Sequence, residues 1–184
     1  MSVLGFLRRK LRPRSEVEAG RALYFALLAQ ARLPAFYGSL GVPDTIDGRF
    51  DMVALHAALA FRRLRSLGGR DADVLSDATF DIMTADLERS IRELGVGDAG
   101  VARRVKTMAR AFYGRAQAYE RALAGTESLE DALRRNVFGT VVADDATVAR
   151  LTGYVRRAAA GADRQSLDDL KAGHTGFPPT PYAA

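Results

Sequence analysis

Apolar side chains between residues 98 and 123 recur at intervals of three, four or seven positions. An α-helix turns once in about 3.6 residues, so this spacing places them on one helical face. We therefore predict a core helix from Asp98 to about Leu123. Its apolar face consists of Val101, Val105, Met108, Phe112, Tyr119 and Leu123.

The rest of the chain favours helices as well. No segment alternates polar and apolar residues over a sustained run, and no hairpin signal joins two β-rich runs. Ser15 and Glu18 have the spacing of a capping box, and Asp51 is placed to cap a second helix after a loop. We predict an all-α, single-domain bundle of about six helices joined by short loops. The predicted helices span residues 15–31, 51–67, 73–94, 98–123, 127–136 and 144–160.

The turn between the third and fourth helices has three residues, so we expect these two helices to pack as an antiparallel pair. Their apolar positions are expected to be largely buried. These positions are Phe80, Met83, Leu87, Val105, Met108 and Phe112.

Charge is distributed unevenly along the chain. The chain has 27 basic and 22 acidic residues, and residues 1–14 hold five basic residues and no acid. The excess of +5 therefore lies in the first 14 residues, which weighs against a broad nucleic-acid-binding face. We predict a basic amphipathic segment over residues 1–14, a helical domain over 15–161 and an extended C-terminal tail over 162–184.

The N-terminal segment places an apolar stripe opposite its arginines on a helical wheel. This pattern predicts a reversible anchor on an anionic membrane surface. No stretch reaches the roughly 20 apolar residues of a membrane span, and the apolar run is too short for a secretory signal. We expect a cytoplasmic protein that is peripheral at the inner membrane. The predicted membrane-surface residues are Val3, Leu4, Leu7, Arg8, Arg9, Lys10, Leu11 and Arg12.

Residues capable of catalysis or metal binding are sparse. There is no cysteine, and His56 and His174 are too far apart in sequence to suggest a zinc site. We interpret His56 as a hydrogen-bonded structural residue. Asp73, Asp77 and Asp81 share one helix face, which we interpret as solvated, although such a row with a second acidic cluster could bind magnesium. No nucleophile, base and oxyanion donors come together, so we predict no enzyme, metal or cofactor.

Arg103, Arg104 and Lys106 lie in the first turns of the fourth predicted helix, where cations oppose the helix dipole. They indicate an acidic partner or a surface cluster without a role. Because the net charge is positive, a nucleic-acid- or ribosome-binding helical protein is one alternative, and a helical isoprenoid enzyme with the aspartate row is another.

Four blocks of the sequence resemble the ubiquinol–cytochrome c chaperone family. VPDTIDGRFD at residues 42–51, followed by Leu55 and His56, is the longest. The others are ADLERSIRELGVGD at 85–98, KTMARAFYGR at 106–115 and RNVF at 135–138. Their order and spacing over about residues 20–140 match the family. The 24 arginines and 3 lysines are also typical of a GC-rich bacterial genome.

The resemblance implies a helical, non-catalytic assembly chaperone that binds newly made cytochrome b. Through that client it would promote assembly of ubiquinol–cytochrome c reductase, respiratory complex III. A small second assembly factor and the ribosome exit region are further implied partners.

Partner-binding residues are expected among motif positions that a plain helical bundle does not need. The alternative is that residues 47–49 form a buried loop-to-helix clamp and that Tyr113 belongs to the core. The candidate residues are Asp47, Arg49, Phe50, Arg89, Lys106, Tyr113 and Arg115.

Overall fold

The computed structural model describes residues 12–179, and all regular secondary structure in this range is helical. Among residues 12–179, six helices have eight or more residues, in line with the prediction of about six, and two further helices have five each. The helices are α1 (Arg14–Ala31), α2 (Pro34–Gly38), α3 (Ile46–Leu67), α4 (Arg70–Glu93), α5 (Asp98–Leu123), α6 (Leu129–Asn136), α7 (Asp145–Asp163) and α8 (Leu167–Lys171).

Helix α3 is the centre of the bundle. Its apolar side chains enter two hydrophobic clusters, one on each side. The first cluster joins α3 to α2, α6, α7 and the end of α5. The second joins it to α1, α4 and the middle of α5, with Leu170 of α8 at its edge. Burial on both sides explains why α3 is apolar around most of its circumference.

Helix α1 packs closely along α4. A Cβ at Gly20 would lie 2.7 Å from the Cβ of Ala78, so the two backbones approach at a point that admits only glycine. Just before α1, Arg12 donates to the Val74 carbonyl over 3.1 Å and lies 3.4 Å from Asp81. Its side chain is 12% exposed, so this predicted membrane-surface residue contacts α4 instead. The predicted anchor residues 3–11 lie outside the described range.

Two predicted helix caps, Ser15 and Asp51, are wrong. Pro13 is the N-cap of α1 with no side-chain cap, and Glu18 pairs with Arg14 instead of closing a box with Ser15. Helix α3 begins at Ile46, and its cap is Thr45, whose hydroxyl accepts from the Gly48 amide. The predicted loop over 33–49 therefore contains α2 and the first turn of α3. Asp51 is buried within α3 and does not cap it.

The predicted tail over residues 162–184 contains a helix as well as extended chain. Leu170 of α8 is fully buried. Beyond α8 the chain lies on the bundle, where the Phe177 ring is 5.3 Å from the His56 ring. The Pro178 carbonyl accepts from Gln30 Nε2 over 2.7 Å.

Helices α4 and α5 pack against each other, as predicted, but they do so incompletely. Met83 and Phe112 are buried, whereas the other four expected core residues are only half-buried. The pair is open on one side, and the half-buried residues line that opening. They are Phe80, Leu87, Val105 and Met108.

Candidate functional site: an apolar interhelical groove

A groove of about 220 Å³ lies between α1, α3, α4 and α5, and we refer to it as the apolar groove. Aromatic rings, methionines and branched aliphatic side chains form most of its wall, with a few polar groups among them. Its lining residues are Tyr24, Leu28, Arg32, Ile46, Arg49, Phe50, Val53, Phe80, Met83, Thr84, Asp86, Leu87, Ser90, Val105, Met108, Ala109 and Phe112.

The first turn of α3 supplies the groove with Ile46, Arg49 and Phe50. A Cβ at Gly48 would lie 2.0 Å from the Pro43 carbonyl oxygen, so glycine allows the preceding loop to cross this turn directly. The Arg49 guanidinium donates to Asp44 over 2.6 Å, and this contact lowers the pKa of the Asp44 carboxyl. The loop thereby fixes the start of α3 at the groove. Ile46 is 54% exposed at the edge of the groove.

A polar contact connects α1 and α4 at the groove wall. The Tyr24 hydroxyl donates to Asp86 Oδ2 over 2.7 Å, and Arg89 lies 3.5 Å from the other carboxylate oxygen. Burial, followed by the contact with Asp86, raises the pKa of Tyr24. Tyr24 therefore stays a neutral donor, and its ring faces the groove while its polar end is satisfied.

A buried ion pair joins α3 to α5 next to the groove. Arg115 Nη2 lies 2.7 Å from Asp51 Oδ1, and the guanidinium carbon is 5.7 Å from the centre of the Phe50 ring. Burial raises the pKa of Asp51 to about 6, although the Arg115 charge opposes that shift. Phe50 is thus held between the groove and a cation.

The structure brings together only part of the predicted partner-binding set. Arg49 and Phe50 line the groove, and Arg89 contacts one of its lining residues, Asp86. Arg115 pairs with Asp51, so its guanidinium is engaged inside the fold. Asp47 is exposed in the first turn of α3 and does not line the groove.

The two remaining candidates lie on other surfaces. Lys106 is exposed on α5 away from the groove. Tyr113 is 57% exposed and therefore not a core residue. It packs on Phe80 with ring centres 5.6 Å apart and lines a second, more polar cleft of about 210 Å³. Phe80 and Phe112 separate this second cleft from the apolar groove, since both line the two cavities.

Sequence reasoning missed most of the groove wall. Met83, Leu87, Val105 and Met108 have the spacing of a core stripe, and that spacing does not distinguish a closed interface from an open one. One signal was available in the motifs. Three of the four blocks contribute to the groove, through Ile46, Arg49 and Phe50, through Asp86, Leu87 and Ser90, and through Met108, Ala109 and Phe112.

The histidine and aspartate predictions have clear structural positions. His56 is fully buried and hydrogen-bonded on both ring nitrogens, to the Met52 carbonyl and to the Tyr154 hydroxyl, which confirms its structural role. Asp73 and Asp77 line the second cleft. Within residues 12–179, no three side chains of His, Asp or Glu are placed to share a metal ion. None of the helices in that range is both long and apolar enough to span a bilayer.

Comparison with known proteins identifies the family. The family model described as ubiquinol-cytochrome C chaperone matches residues 38–177. The crystal structure of the Cbp3 homolog from Brucella abortus is similar, with 33% sequence identity and a TM-score of 0.78. That match covers 96% of this chain and 97% of the other. No curated protein matches the chain. The chain therefore belongs to the ubiquinol–cytochrome c chaperone family.

Proposed function

We propose that this protein is a non-catalytic chaperone that holds an apolar segment of newly made cytochrome b in the apolar groove. Family membership supports a chaperone role in the assembly of ubiquinol–cytochrome c reductase. The observation that carries the finer proposal is the convergence of three family motif blocks on one open groove. A bundle that needed these blocks only for folding would bury them.

The groove chemistry suits an apolar client. Cytochrome b is a bundle of apolar helices, and the apolar surface of such helices must be shielded from water before they pack against their final partners. Met83 and Met108 are unbranched and flexible, so they adapt to clients of different shape. Amphipathic or apolar helices bind in grooves of this kind through side chains on one helical face.

The groove rim adds a charge preference. Arg32 and Arg49 line the groove, and Arg89 lies beside it, whereas Asp86 is the one acidic lining residue among those described. Asp86 is already engaged by Tyr24 and Arg89. Arg49 pairs with Asp44 and Arg89 pairs with Asp86, so the rim has an excess of one positive charge, that of Arg32. This charge favours a client segment with an acidic residue or the C-terminal end of a helix beside it.

The proposal includes reversible binding and a location at the membrane. A groove of about 220 Å³ covers only a few client side chains at a time. We therefore expect binding weak enough for the client to dissociate by itself and pass to later assembly steps. We place the protein in the cytoplasm, peripheral to the inner membrane, where its client is inserted. The second assembly factor and the ribosome exit region stay predictions.

The test places a charge in the groove. Leu87→Glu and Met108→Glu, made singly, put a carboxylate among apolar side chains that a client would cover, and a buried unpaired charge opposes binding strongly. We expect cytochrome b recovered with the tagged protein to fall at least about tenfold, which corresponds to about 1.4 kcal/mol. Assembled reductase should fall with it, as in a strain without the gene.

Gln117→Glu is the matched control, because it adds the same charge at an exposed position of α5 away from the groove. Urea unfolding midpoints establish that all three variants are folded. Normal recovery of cytochrome b with the two groove variants would refute the groove as the client site. Normal cytochrome b spectra in the strain without the gene would refute the client itself.

A further inference from the structure

The first two-thirds of α5 carry a surface that the proposed function does not use. Residues 99–119 contain five basic residues and no acid. Arg115 is neutralised by Asp51. The other four are exposed, and none forms a salt bridge with another residue of the described range. They are Arg103, Arg104, Lys106 and Arg110.

Three of these cations form a stripe along the helix. Arg103, Lys106 and Arg110 follow the i, i+3, i+7 spacing of one helical side, over about 10 Å of helix. Like charges at this spacing repel one another. The fold offers these cations no compensation, so a stripe of this kind fits an external anion.

The turn that precedes the stripe is apolar at its tip. Leu94 is the C-cap of α4 and is 53% exposed. Of the nearby acids, Asp98 pairs with Arg92 over 2.5 Å, and Glu93 is exposed. Within residues 93–119, four unpaired cations therefore outnumber one unneutralised acid, Glu93.

An exposed leucine in the turn before a helix that carries unpaired cations has the chemistry of a lipid interface. The apolar side chain enters the boundary between headgroups and acyl chains, while the cations contact phosphates. A nucleic acid would contact the cations but would gain little from Leu94. We propose that the tip of the α4–α5 hairpin, with the stripe of Arg103, Lys106 and Arg110, binds the surface of an anionic phospholipid bilayer.

Membrane binding by the stripe is independent of the groove and its client. The stripe is a membrane contact of the folded domain, separate from the predicted anchor in residues 1–12. Because another side of α5 lines the apolar groove, binding by the stripe would hold that groove close to the bilayer.

The test uses the full chain and vesicles of phosphatidylcholine with and without phosphatidylglycerol. In the stripe variant, Arg103→Gln, Lys106→Gln and Arg110→Gln are combined. Each basic residue near an anionic surface strengthens binding about fivefold, so the loss of three predicts roughly 100-fold weaker binding at low salt. Leu94→Ser should weaken binding a further few-fold and should matter most at high salt, where the electrostatic part is screened.

The matched control combines Arg21→Gln, Arg156→Gln and Arg164→Gln, three exposed arginines on α1 and α7 or at its end. It removes the same charge and should lower affinity less than about threefold. Equal losses in both triple variants, or full affinity in the stripe variant, would overturn the proposal. A stripe variant that loses binding to ribosomal RNA while keeping its vesicle affinity would overturn it in favour of a nucleic-acid partner.

Discussion

The N-terminal half of α3 is packed in opposite ways on its two sides. On one side, His56 is fully buried, and the rings of Phe36, Tyr154 and Phe177 surround it at centre distances of 5.3–5.7 Å. On the other side, Phe50 and Val53 face the apolar groove and stay half-buried. The same helix thus belongs to a closed core and to an open site.

The polar groups differ in the same way. Around His56, the Tyr154 hydroxyl donates to the imidazole Nε2 over 2.6 Å and accepts from Gln30 over 3.0 Å. These three polar side chains therefore have partners inside the protein. At the groove, by contrast, the Arg32 and Arg49 side chains are exposed among apolar residues, although Arg49 also pairs with Asp44. The comparison indicates that the closed side serves stability and that the open side is available for binding.

The largest expected effect separates these two roles. His56→Ala removes a packed ring and leaves the Tyr154 hydroxyl without its acceptor, so we expect a loss of about 3–5 kcal/mol in the free energy of unfolding. Met108→Ala trims a half-buried groove residue and should cost about 1 kcal/mol or less. Recovery of cytochrome b should instead fall more with Met108→Ala than with His56→Ala, when His56→Ala is assayed below its melting temperature. Equal stability losses would mean that the groove is as much a core as the histidine side.

The next effect concerns pH, and it has opposite signs at two positions of α3. Burial lowers the pKa of His56 to about 4, below its unfolded value of about 6.5. Its contribution to stability is therefore complete above pH 6.5 and is lost as the pH falls toward 4, by about 2 kcal/mol at pH 5. Asp51 has a folded pKa of about 6, above its unfolded value of 3.8. Its protonation stabilises the fold at low pH, by about 1 kcal/mol at pH 5, and this gain is lost as the pH rises through 6.

The two contributions partly cancel in the natural chain, so variants are needed to separate them. Between pH 7.5 and pH 5, His56→Gln should lose less stability than the natural protein, and Asp51→Asn should lose more. Urea unfolding at both pH values measures the difference. The same pH dependence in all three proteins would show that neither group titrates in this range.

The sequence predicts much of this fold because most of its information is local. The ends of the predicted helices 98–123, 127–136 and 144–160 lie within three residues of the ends of α5, α6 and α7. Such local prediction works because apolar periodicity and glycine stops act over one or two helical turns. The prediction that Asp51 caps a helix is wrong because the neighbouring sequence does not distinguish a capping aspartate from a buried one. The difference is the Arg115 side chain, which reaches Asp51 from α5. The open groove was missed for a related reason. Periodicity indicates which side of α4 and α5 is apolar, but the distance between the helices is set by the packing of α1 and α3.

The smallest expected effects concern the aspartate row of α4, which belongs neither to the core around His56 nor to the apolar groove. Asp77 is exposed in the second cleft, so Asp77→Asn should change the free energy of unfolding by no more than about 0.5 kcal/mol. Asp81→Asn should cost about 1 kcal/mol, because Arg12 is only 12% exposed and would lose its carboxylate partner. Neither change should alter client recovery or reductase assembly, since neither residue lines the apolar groove. Unfolding midpoints and reductase levels in strains carrying each variant provide the measurement. A folded Asp77→Asn protein without function would show that the carboxylate row has a role of its own, as in the isoprenoid-enzyme alternative.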